Sequence, residues 1–275
     1  DRLELGADLV AQAFEPVAGL FGLVGPVGHP PRLPKRARQG KGLCMVPVSF
    51  APFAFAGRDC ALVGERALHW PAERALVVAD LHLEKGSWFA SRGAMLPPWD
   101  SRASLERLGA AINACNPARV ICLGDSFHDT AGPERLEPEA ARLLGELARG
   151  RDWLWITGNH DGASAATLCG TAVEELELAG VMLRHEARPH WPGAELSGHF
   201  HPKWAVHVRG RRITRPCAVL GGQRMILPAF GAYTGGLAAA DPAIRAALAP
   251  APALSAIVAA GTRAAQYPLP GPEKA

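Results

Sequence analysis

Five short polar clusters in this chain contain side chains suited to binding metal ions. They are Asp80-Leu-His82, Gly124-Asp125, Gly158-Asn159-His160-Asp161, Arg184-His185-Glu186 and Gly198-His199-Phe-His201. Carboxylate, imidazole and amide oxygen are ligands for hard-to-borderline divalent ions. Nearly every cluster follows an apolar run, so we expect the ligands on loops at strand ends. The pattern predicts a two-metal hydrolase that acts on phosphate esters.

The spacing within the clusters favours shared metal sites. Asp80 and His82 are two residues apart, as are His199 and His201, so in extended backbone each pair points to one side. Asn159 places an amide oxygen beside the imidazole of the next residue. Each cluster alone has an ordinary alternative as a turn. Half of the 10 histidines fall inside the clusters, which favours one joint site.

The runs between the clusters predict an α/β core. Runs typical of buried strands lead into clusters at 74–79, 119–123 and 153–156. Helical spacing predicts helices over 101–115, with Asp100 or Ser101 as N-cap, and over 138–148. Strands that alternate with helices indicate parallel pairing at the centre of a sheet.

The flanking regions read as β-structure. Residues 50–68 have short apolar runs broken by glycine, which predicts a hairpin. Beyond Gly170 short strand-like runs alternate with Gly and Pro, and 254–258 with 264–269 predict a closing hairpin over Gly261. We therefore expect a second sheet that faces the first.

Composition excludes some classes and sets the domain limits. The net charge of +3 is too small to indicate a nucleic-acid partner by itself, and six cysteines without a C-x-x-C pair favour reduced, structural thiols. There is no apolar run of the roughly 18 residues that a membrane helix needs, and the acidic N-terminus is unlike a secretory signal, so we expect a cytoplasmic protein.

The composition also predicts how the chain is divided. We expect residues 1–44 to be a disordered extension, with a polyanion-binding arm as the alternative, and residues 45–271 to form a single folded domain.

The clusters resemble the motifs of the calcineurin-like metallophosphoesterase superfamily: D-x-H, G-D-x-x-D, G-N-H-[DE], a lone His and G-H-x-H. Within it, three segments are similar to the bacterial subfamily of ligase-associated DNA-damage-response endonucleases (PdeM). These segments are 70–82, 123–128 and Leu227-Pro-Ala-Phe-Gly-Ala-Tyr-Thr-Gly-Gly236. The resemblance implies a sandwich of two mixed β-sheets flanked by helices.

The resemblance also implies roles for individual residues. One ion would be held by Asp80, His82 and His201, and the other by Asn159, His185 and His199. Asp125 would bridge the two ions, and a hydroxide held between them would attack phosphorus. His160 would protonate the leaving oxygen as general acid. The ions implied are two divalent metals, Mn²⁺ first, with Mg²⁺, Fe²⁺ or Zn²⁺ as alternatives.

Some positions depart from the superfamily pattern. His128 stands where relatives have an acid that orients the catalytic imidazole, and Asp129 or Asp161 is an alternative for that role. His128 and Asp161 are both expected just behind the ligands. Glu84 replaces a usual glycine, so its carboxylate lies near the metals or is a solvated surface group. His185 is favoured as the lone histidine ligand, with His190 as a competitor.

The substrate is the least specified part of the prediction. Lys85, Arg211 and Arg212 are candidates for binding substrate phosphate, the last two in a basic stretch that also reads as an ordinary hairpin with its tip at 209–212. The resemblance favours a nuclease acting on DNA in repair, with a functional link to a DNA ligase and a helicase. The alternative is a phosphoesterase for a small nucleotide or cyclic dinucleotide. A scaffold without catalysis is disfavoured because Asn159 and His160 are retained.

Overall fold

The computed structural model describes residues 48–271. The predicted extension over 1–44 lies outside the described residues, so the division of the chain into an extension and one domain stays a prediction. None of the described helices has the length and apolar character needed to cross a membrane.

The first sheet contains seven strands in chain order. They are β1 (Phe50–Phe55), β2 (Arg58–Val63), β3 (Ala67–Trp70), β4 (Ala75–Ala79), β5 (Arg119–Leu123), β6 (Asp152–Ile156) and β7 (Thr171–Val173). Strands β1 to β4 pair antiparallel, whereas β4 to β7 pair parallel, as predicted for the centre of the sheet. Every residue of β4 is buried, as expected for a strand covered on both faces.

The α-helices of the described residues are α1 (Lys85–Ala90), α2 (Asp100–Cys115), α3 (Gly132–Arg135), α4 (Pro138–Ala148) and α5 (Pro242–Ala247). The two longer helices, α2 and α4, cover one face of the first sheet. The predictions of α2 and α4 are confirmed, but the N-cap prediction for α2 is wrong. The Asp100 carboxylate accepts a hydrogen bond from the Gly86 amide, and the Ser101 hydroxyl accepts one from the Glu84 amide. Asp100 thus binds the first turn of α1 and Ser101 binds the residue just before it, and neither side chain caps its own helix.

The second sheet contains seven later strands, which are β8 (Leu176–Leu178), β9 (Val181–Leu183), β10 (Ala194–Ser197), β13 (Ala218–Gly221), β14 (Arg224–Ile226), β15 (Ser255–Ala260) and β16 (Arg263–Pro268). Their order across the sheet is β16-β15-β13-β14-β10-β9-β8. Strand β10 pairs parallel with both β9 and β14. The predicted hairpin over Gly261 is β15–β16. A separate two-stranded hairpin comprises β11 (Lys203–Val208) and β12 (Arg211–Pro216).

Three apolar clusters hold these layers together. The first, which includes Leu62, Val77 and Met225, packs the two sheets against each other. The second packs α2 and α4 on the outer face of the first sheet, and the third packs α5 on the second sheet. Cys122 lies in the second cluster as a buried free thiol, as predicted. The architecture is the predicted α/β sandwich of two mixed sheets flanked by helices.

A short segment after β14 joins the two sheets at one edge. The Leu227 amide donates to the Ser197 carbonyl at the end of β10, and the Phe230 amide donates to the Ala79 carbonyl at the end of β4, both at 2.7 Å. Ala79 and Ala229 also form a parallel β-bridge. The loops that follow β4 and β10 are therefore brought side by side.

Candidate metal centre

The polar clusters lie where the sequence predicted them, on loops at strand ends. Asp80 directly follows β4, Asp125 follows β5 after Gly124, and His185 follows β9 after Arg184. The carboxyl ends of neighbouring parallel strands share one edge of a sheet, so these loops meet. Residues 227–230, which join the two sheets, bring the loop after β10 to the same place.

The first group of candidate ligands consists of Asp80, His82 and His201, whose ligand atoms all lie within 4.8 Å of one another. The Nε2 atoms of His82 and His201 are 3.2 Å apart. The Asp80 Oδ1 atom lies 3.5 Å from His201 Nε2. Asp80 and His82 are buried, so a cation here would be held largely out of bulk water.

The second group consists of Asp125, His185 and His199, again with all ligand atoms within 4.8 Å. His199 Nδ1 lies 3.1 Å from His185 Nε2, and Asp125 Oδ2 lies 3.4 Å from the same nitrogen. The Asn159 Oδ1 atom is 2.6 Å from His185 Nε2, which adds an amide oxygen to this group.

Asp125 faces both groups. Its Oδ2 atom is 4.0 Å from His82 Nε2 of the first group and 3.4 Å from His185 Nε2 of the second. Its Oδ1 atom accepts a hydrogen bond of 3.1 Å from the His160 backbone amide, which fixes the carboxylate plane. The arrangement suits a carboxylate shared between two cations.

Glycines beside the ligands permit the close packing of these loops. A Cβ atom on Gly198 would lie 2.6 Å from Asp80 Oδ2 and 2.8 Å from Ala79 Cβ. A Cβ atom on Gly158 would overlap the backbone amide of Asp125. The glycines of the G-N-H and G-H-x-H clusters are thus required by the approach of a ligand from another loop.

Five of the seven candidate ligands have a left-handed backbone, not the extended backbone that the spacing argument assumed. The five ligands with positive φ are Asp80 (52°), His82 (44°), Asp125 (43°), His199 (73°) and His201 (49°). Such conformations cost about 1–3 kcal/mol each and persist where surrounding bonds impose them. One such bond runs from the His82 amide to the Asp125 carbonyl at 2.9 Å.

The protonation tendencies of the site fit a cation-binding role. Burial, with the nearby charge of His201, lowers the pKa of His82 to about 2. Burial opposes ionisation of Asp125, but the hydrogen bond with His185, the charge of His185 and the hydrogen bond from the His160 amide together outweigh burial, and the pKa of Asp125 falls below its usual value. Neutral imidazole and ionised carboxylate are the states in which these groups bind metal.

The effect of the buried carboxylates on a neighbouring pKa is clearest at His185. Burial by itself lowers its pKa, but the hydrogen bond with Asp125 and the charge of Asp80 raise the pKa to about 9. Two buried carboxylates thus attract positive charge to this position. The donor set of imidazole, carboxylate and amide oxygen, without thiolate, fits divalent metal ions.

His160 lies at the rim of the site. Its side chain is 44% exposed, and its Nε2 atom is 3.9 Å from Asp125 Oδ2. It belongs to neither ligand group. A partly exposed imidazole next to the candidate metals is accessible to a bound ester.

The residues expected behind the ligands do different things. His128 Nδ1 lies 3.5 Å from His82 Nδ1, so His128 contacts a ligand directly. The Asp161 carboxylate accepts a hydrogen bond from the Phe127 amide, and burial raises the pKa of Asp161 to about 6. Asp129 forms an ion pair with Arg135 at 2.7 Å. The two acids considered as orienting groups for His160 are thus engaged with a backbone amide and an arginine.

The candidate phosphate-binding residues lie in two places. Lys85 begins α1, close enough to His82 and His128 to contribute to the lowering of their pKa, which is due first to burial. Arg211 and Arg212 are exposed at the start of β12, and Arg211 pairs with Val208 at the end of the hairpin remote from Lys203. Measured along strand β11, that end lies roughly 17 Å from Lys203. The structure therefore brings Lys85 to the metal centre and leaves the two arginines on a projecting hairpin.

Two alternatives from the sequence are corrected. Glu84 is buried, and its carboxylate accepts a hydrogen bond of 2.7 Å from the Ser101 hydroxyl, so it is not a solvated surface group. His190 is exposed and lies in neither candidate ligand group of the described residues.

Sequence reasoning missed the role of Glu195. This buried carboxylate accepts hydrogen bonds from Arg184 at 3.0 Å and Arg224 at 2.8 Å. It ties the end of β9 to β10, the two strands that lead to His185 and His199. The available signal was a glutamate inside the short strand Ala-Glu-Leu-Ser, where a charge needs a buried partner.

Comparison with known proteins gave a family match and several structural matches. A model of the calcineurin-like phosphoesterase family matches residues 73–218. The crystal structure of Pseudomonas putida nuclease MPE is 31% identical, with a TM-score of 0.60 over 80% of this chain and 100% of that chain. The search of curated proteins found no match.

Two further structures are more distant. YfcE, a phosphoesterase from E. coli, is 16% identical, with a TM-score of 0.36 over 71% of this chain and 99% of its own. A conserved uncharacterised protein from Streptococcus pneumoniae TIGR4, described as a predicted phosphoesterase, is 14% identical, with a TM-score of 0.28 over 70% of this chain and 96% of its own.

Proposed function

The chain belongs to the calcineurin-like phosphoesterase family and is a metal-dependent phosphoesterase, and on this basis we propose that it is a phosphodiesterase that cleaves nucleic acid, with DNA in a repair setting as its target. The observation that carries the proposal is the position of Asp125, whose carboxylate faces two separate groups of metal ligands. The similarity to a nuclease over that nuclease's whole length supports nucleic acid as substrate.

We propose the following assignment of ligands. One ion is held by Asp80, His82 and His201, the other by Asn159, His185 and His199, and Asp125 is shared. The family resemblance implies Mn²⁺, and oxygen and imidazole ligands without thiolate are compatible with that ion. When bound, the two ions would supply Lewis acidity and generate a nucleophile from water near neutral pH.

His160 is proposed as the general acid. Its partly exposed imidazole is next to the shared carboxylate without belonging to either ligand group, so its ring nitrogen remains available to donate a proton to the leaving oxygen. The backbone amide of the same residue holds Asp125. A single residue thus links the position of the shared ligand to the position of the acid.

Lys85 is proposed to bind substrate phosphate beside the first ion, because it lies within electrostatic range of His82 and His128. Arg211 and Arg212 are proposed as contacts farther along a long substrate, since they are exposed on the projecting hairpin. We also propose that residues 45–271 form one phosphoesterase domain. The link to a DNA ligase and a helicase is part of the proposal and rests on sequence resemblance alone.

A nuclease assay tests this function. The protein loaded with Mn²⁺ would be given single-stranded, double-stranded and nicked DNA, with a small chromogenic phosphodiester alongside. We expect cleavage of at least one DNA substrate, with a rate that falls steeply as salt rises, because backbone contacts release counterions. Turnover of the small diester that is insensitive to salt, without DNA cleavage, would favour a small nucleotide or cyclic dinucleotide instead.

A further inference from the structure

Four basic side chains form a row that starts at the metal centre; we name Lys85, Lys203, Arg66 and Arg107 the cationic row. Lys85 follows His82 by three residues, and Lys203 follows His201 by two. The row therefore begins beside the first ligand group. All four side chains are half-buried, so their positions are restricted.

Three of the four residues hold the same short segment. Arg66 donates to the Ala229 carbonyl at 2.7 Å, Arg107 to the Phe230 carbonyl at 2.7 Å, and Lys203 to the Thr234 carbonyl at 3.0 Å. This segment is the one that pairs with the end of β4, directly before Asp80. The cations thus flank the first ligand group along residues 229–234.

The charges of the row are not neutralised. Among residues 48–271, no member forms an ion pair within 4.0 Å, although Asp100 and Glu65 act on them at longer range. A carbonyl accepts a hydrogen bond but does not cancel a charge.

The members of the row also repel one another. Burial lowers the pKa of Arg66 and of Lys85, and the charge of another member of the row, Arg107 for Arg66 and Lys203 for Lys85, adds to the effect. Clustered cations without carboxylate partners favour the binding of an anion, because an anion relieves both desolvation and mutual repulsion.

We propose that the cationic row binds phosphates of a polynucleotide that lie next to the one being cleaved. This inference rests on the proposed function, because it requires a substrate with more than one phosphate. It identifies Lys203, the first residue of the basic stretch that follows His201, and Arg66, which the sequence patterns did not single out, as determinants of preference for a polynucleotide over a small diester.

The test uses Lys203→Gln, with Lys203→Arg as the charge-conserving variant and Arg263→Gln, exposed on the edge strand β16, as the matched control. The full chain loaded with Mn²⁺ would act on a DNA oligonucleotide and on bis(p-nitrophenyl) phosphate. We expect Lys203→Gln to lower the ratio of kcat/KM values, oligonucleotide to small diester, by about tenfold. Its log–log salt slope should become less steep by about 1. Lys203→Arg and Arg263→Gln should keep the wild-type ratio.

The outcomes separate the inference from the proposed function. If the wild type cleaves DNA and Lys203→Gln keeps both ratio and slope, the row is not a phosphate site, while the nuclease function stands. If the wild type hydrolyses only the small diester, the nuclease proposal fails and the inference fails with it. If Lys203→Gln loses metal, the same measurements on Arg66→Gln decide, with metal content per chain as the check on folding.

Discussion

The imidazoles of His128 and His160 are stacked, with ring centroids 5.4 Å apart and ring planes 15° from parallel. Trp88 contacts the edge of the same stack, with its ring centroid 4.7 Å from that of His128. The proposed general acid thus lies against the ring of His128, which is itself in contact with Trp88. We therefore expect His128 to position the imidazole of His160.

Replacement of His128 by alanine should impair the chemistry of poor leaving groups. Without the stacked ring, His160 loses a wall that limits its rotation, so we expect about a tenfold lower rate on DNA and a smaller loss on a p-nitrophenyl diester, whose leaving group needs little protonation. His128→Phe keeps the stack and should retain most activity. Equal losses for Ala and Phe would instead assign the effect to the contact between His128 and His82.

The His160→Ala variant should retain both metals and lose hydrolysis of poorly activated esters by roughly 10²–10⁴-fold. The reason is that His160 contributes its amide, not its side chain, to holding Asp125. Metal content by elemental analysis and rates on DNA and on the aryl diester would be measured together. Unchanged DNA turnover would remove the general-acid role.

Asp125→Asn should weaken both metal sites together, because the carboxylate faces both groups. Titration with Mn²⁺, followed by its paramagnetic signal, would show two weakened binding steps. Asp161→Asn provides a neighbouring control. The Asp161 carboxylate accepts a hydrogen bond from the Phe127 amide and belongs to neither ligand group, so this variant should keep both binding steps. Loss of a single ion in Asp125→Asn would contradict a shared ligand.

Gly198→Ala should destabilise the protein and reduce metal affinity, because the new methyl group would lie 2.6 Å from Asp80 Oδ2. We expect a loss of about 1–3 kcal/mol in the free energy of unfolding, as for other overpacked sites. Gly145→Ala, in helix α4 with open space around its Cβ position, should gain roughly 0.5–1 kcal/mol. Chemical denaturation of both variants measures the difference, and equal stabilities would show that the ligand loops are not tightly packed at Gly198.

Mn²⁺ should raise the melting temperature. An ion that binds only the folded state adds about 2.7 kcal/mol when its concentration is 100 times its Kd. For a domain of this size that corresponds to roughly 5–10 °C. Thermal melts with Mn²⁺ and with a chelator test this, and Asp125→Asn should lose most of the shift. A shift of the same size in that variant would place the stabilising ion elsewhere.

The sequence predicts much of the fold because its signals are local. The runs before Asp80, Asp125 and Asn159 are short and apolar apart from the arginine that begins the first two, and a glycine or polar cluster follows each of them, so the strand ends could be predicted. The left-handed backbone of the ligands was not readable, since it is imposed by bonds such as that from the His82 amide to a distant carbonyl. Patterns of spacing carry no information on such contacts.

The same limit applies to capping and to charge. Asp100 and Ser101 have the residue types of a helix cap, but their side chains instead accept hydrogen bonds from the backbone amides of Gly86 and Glu84 at the start of α1. The cationic row combines residues separated by more than a hundred positions, and only folding brings them together. Arg211 and Arg212, which are adjacent in sequence, were easier to notice.

The β-bridge between Ala79 and Ala229 has a consequence for how the protein would release its metals. In the first ligand group, Asp80 follows a strand of one sheet and His201 follows a strand of the other, and residues 227–230 fasten the two sheets at that edge. An ion of the first group would therefore depend on both sheets for its ligands. Separation of the sheets along this edge would move Asp80 away from His201, so we expect metal retention to require both sheets to stay intact.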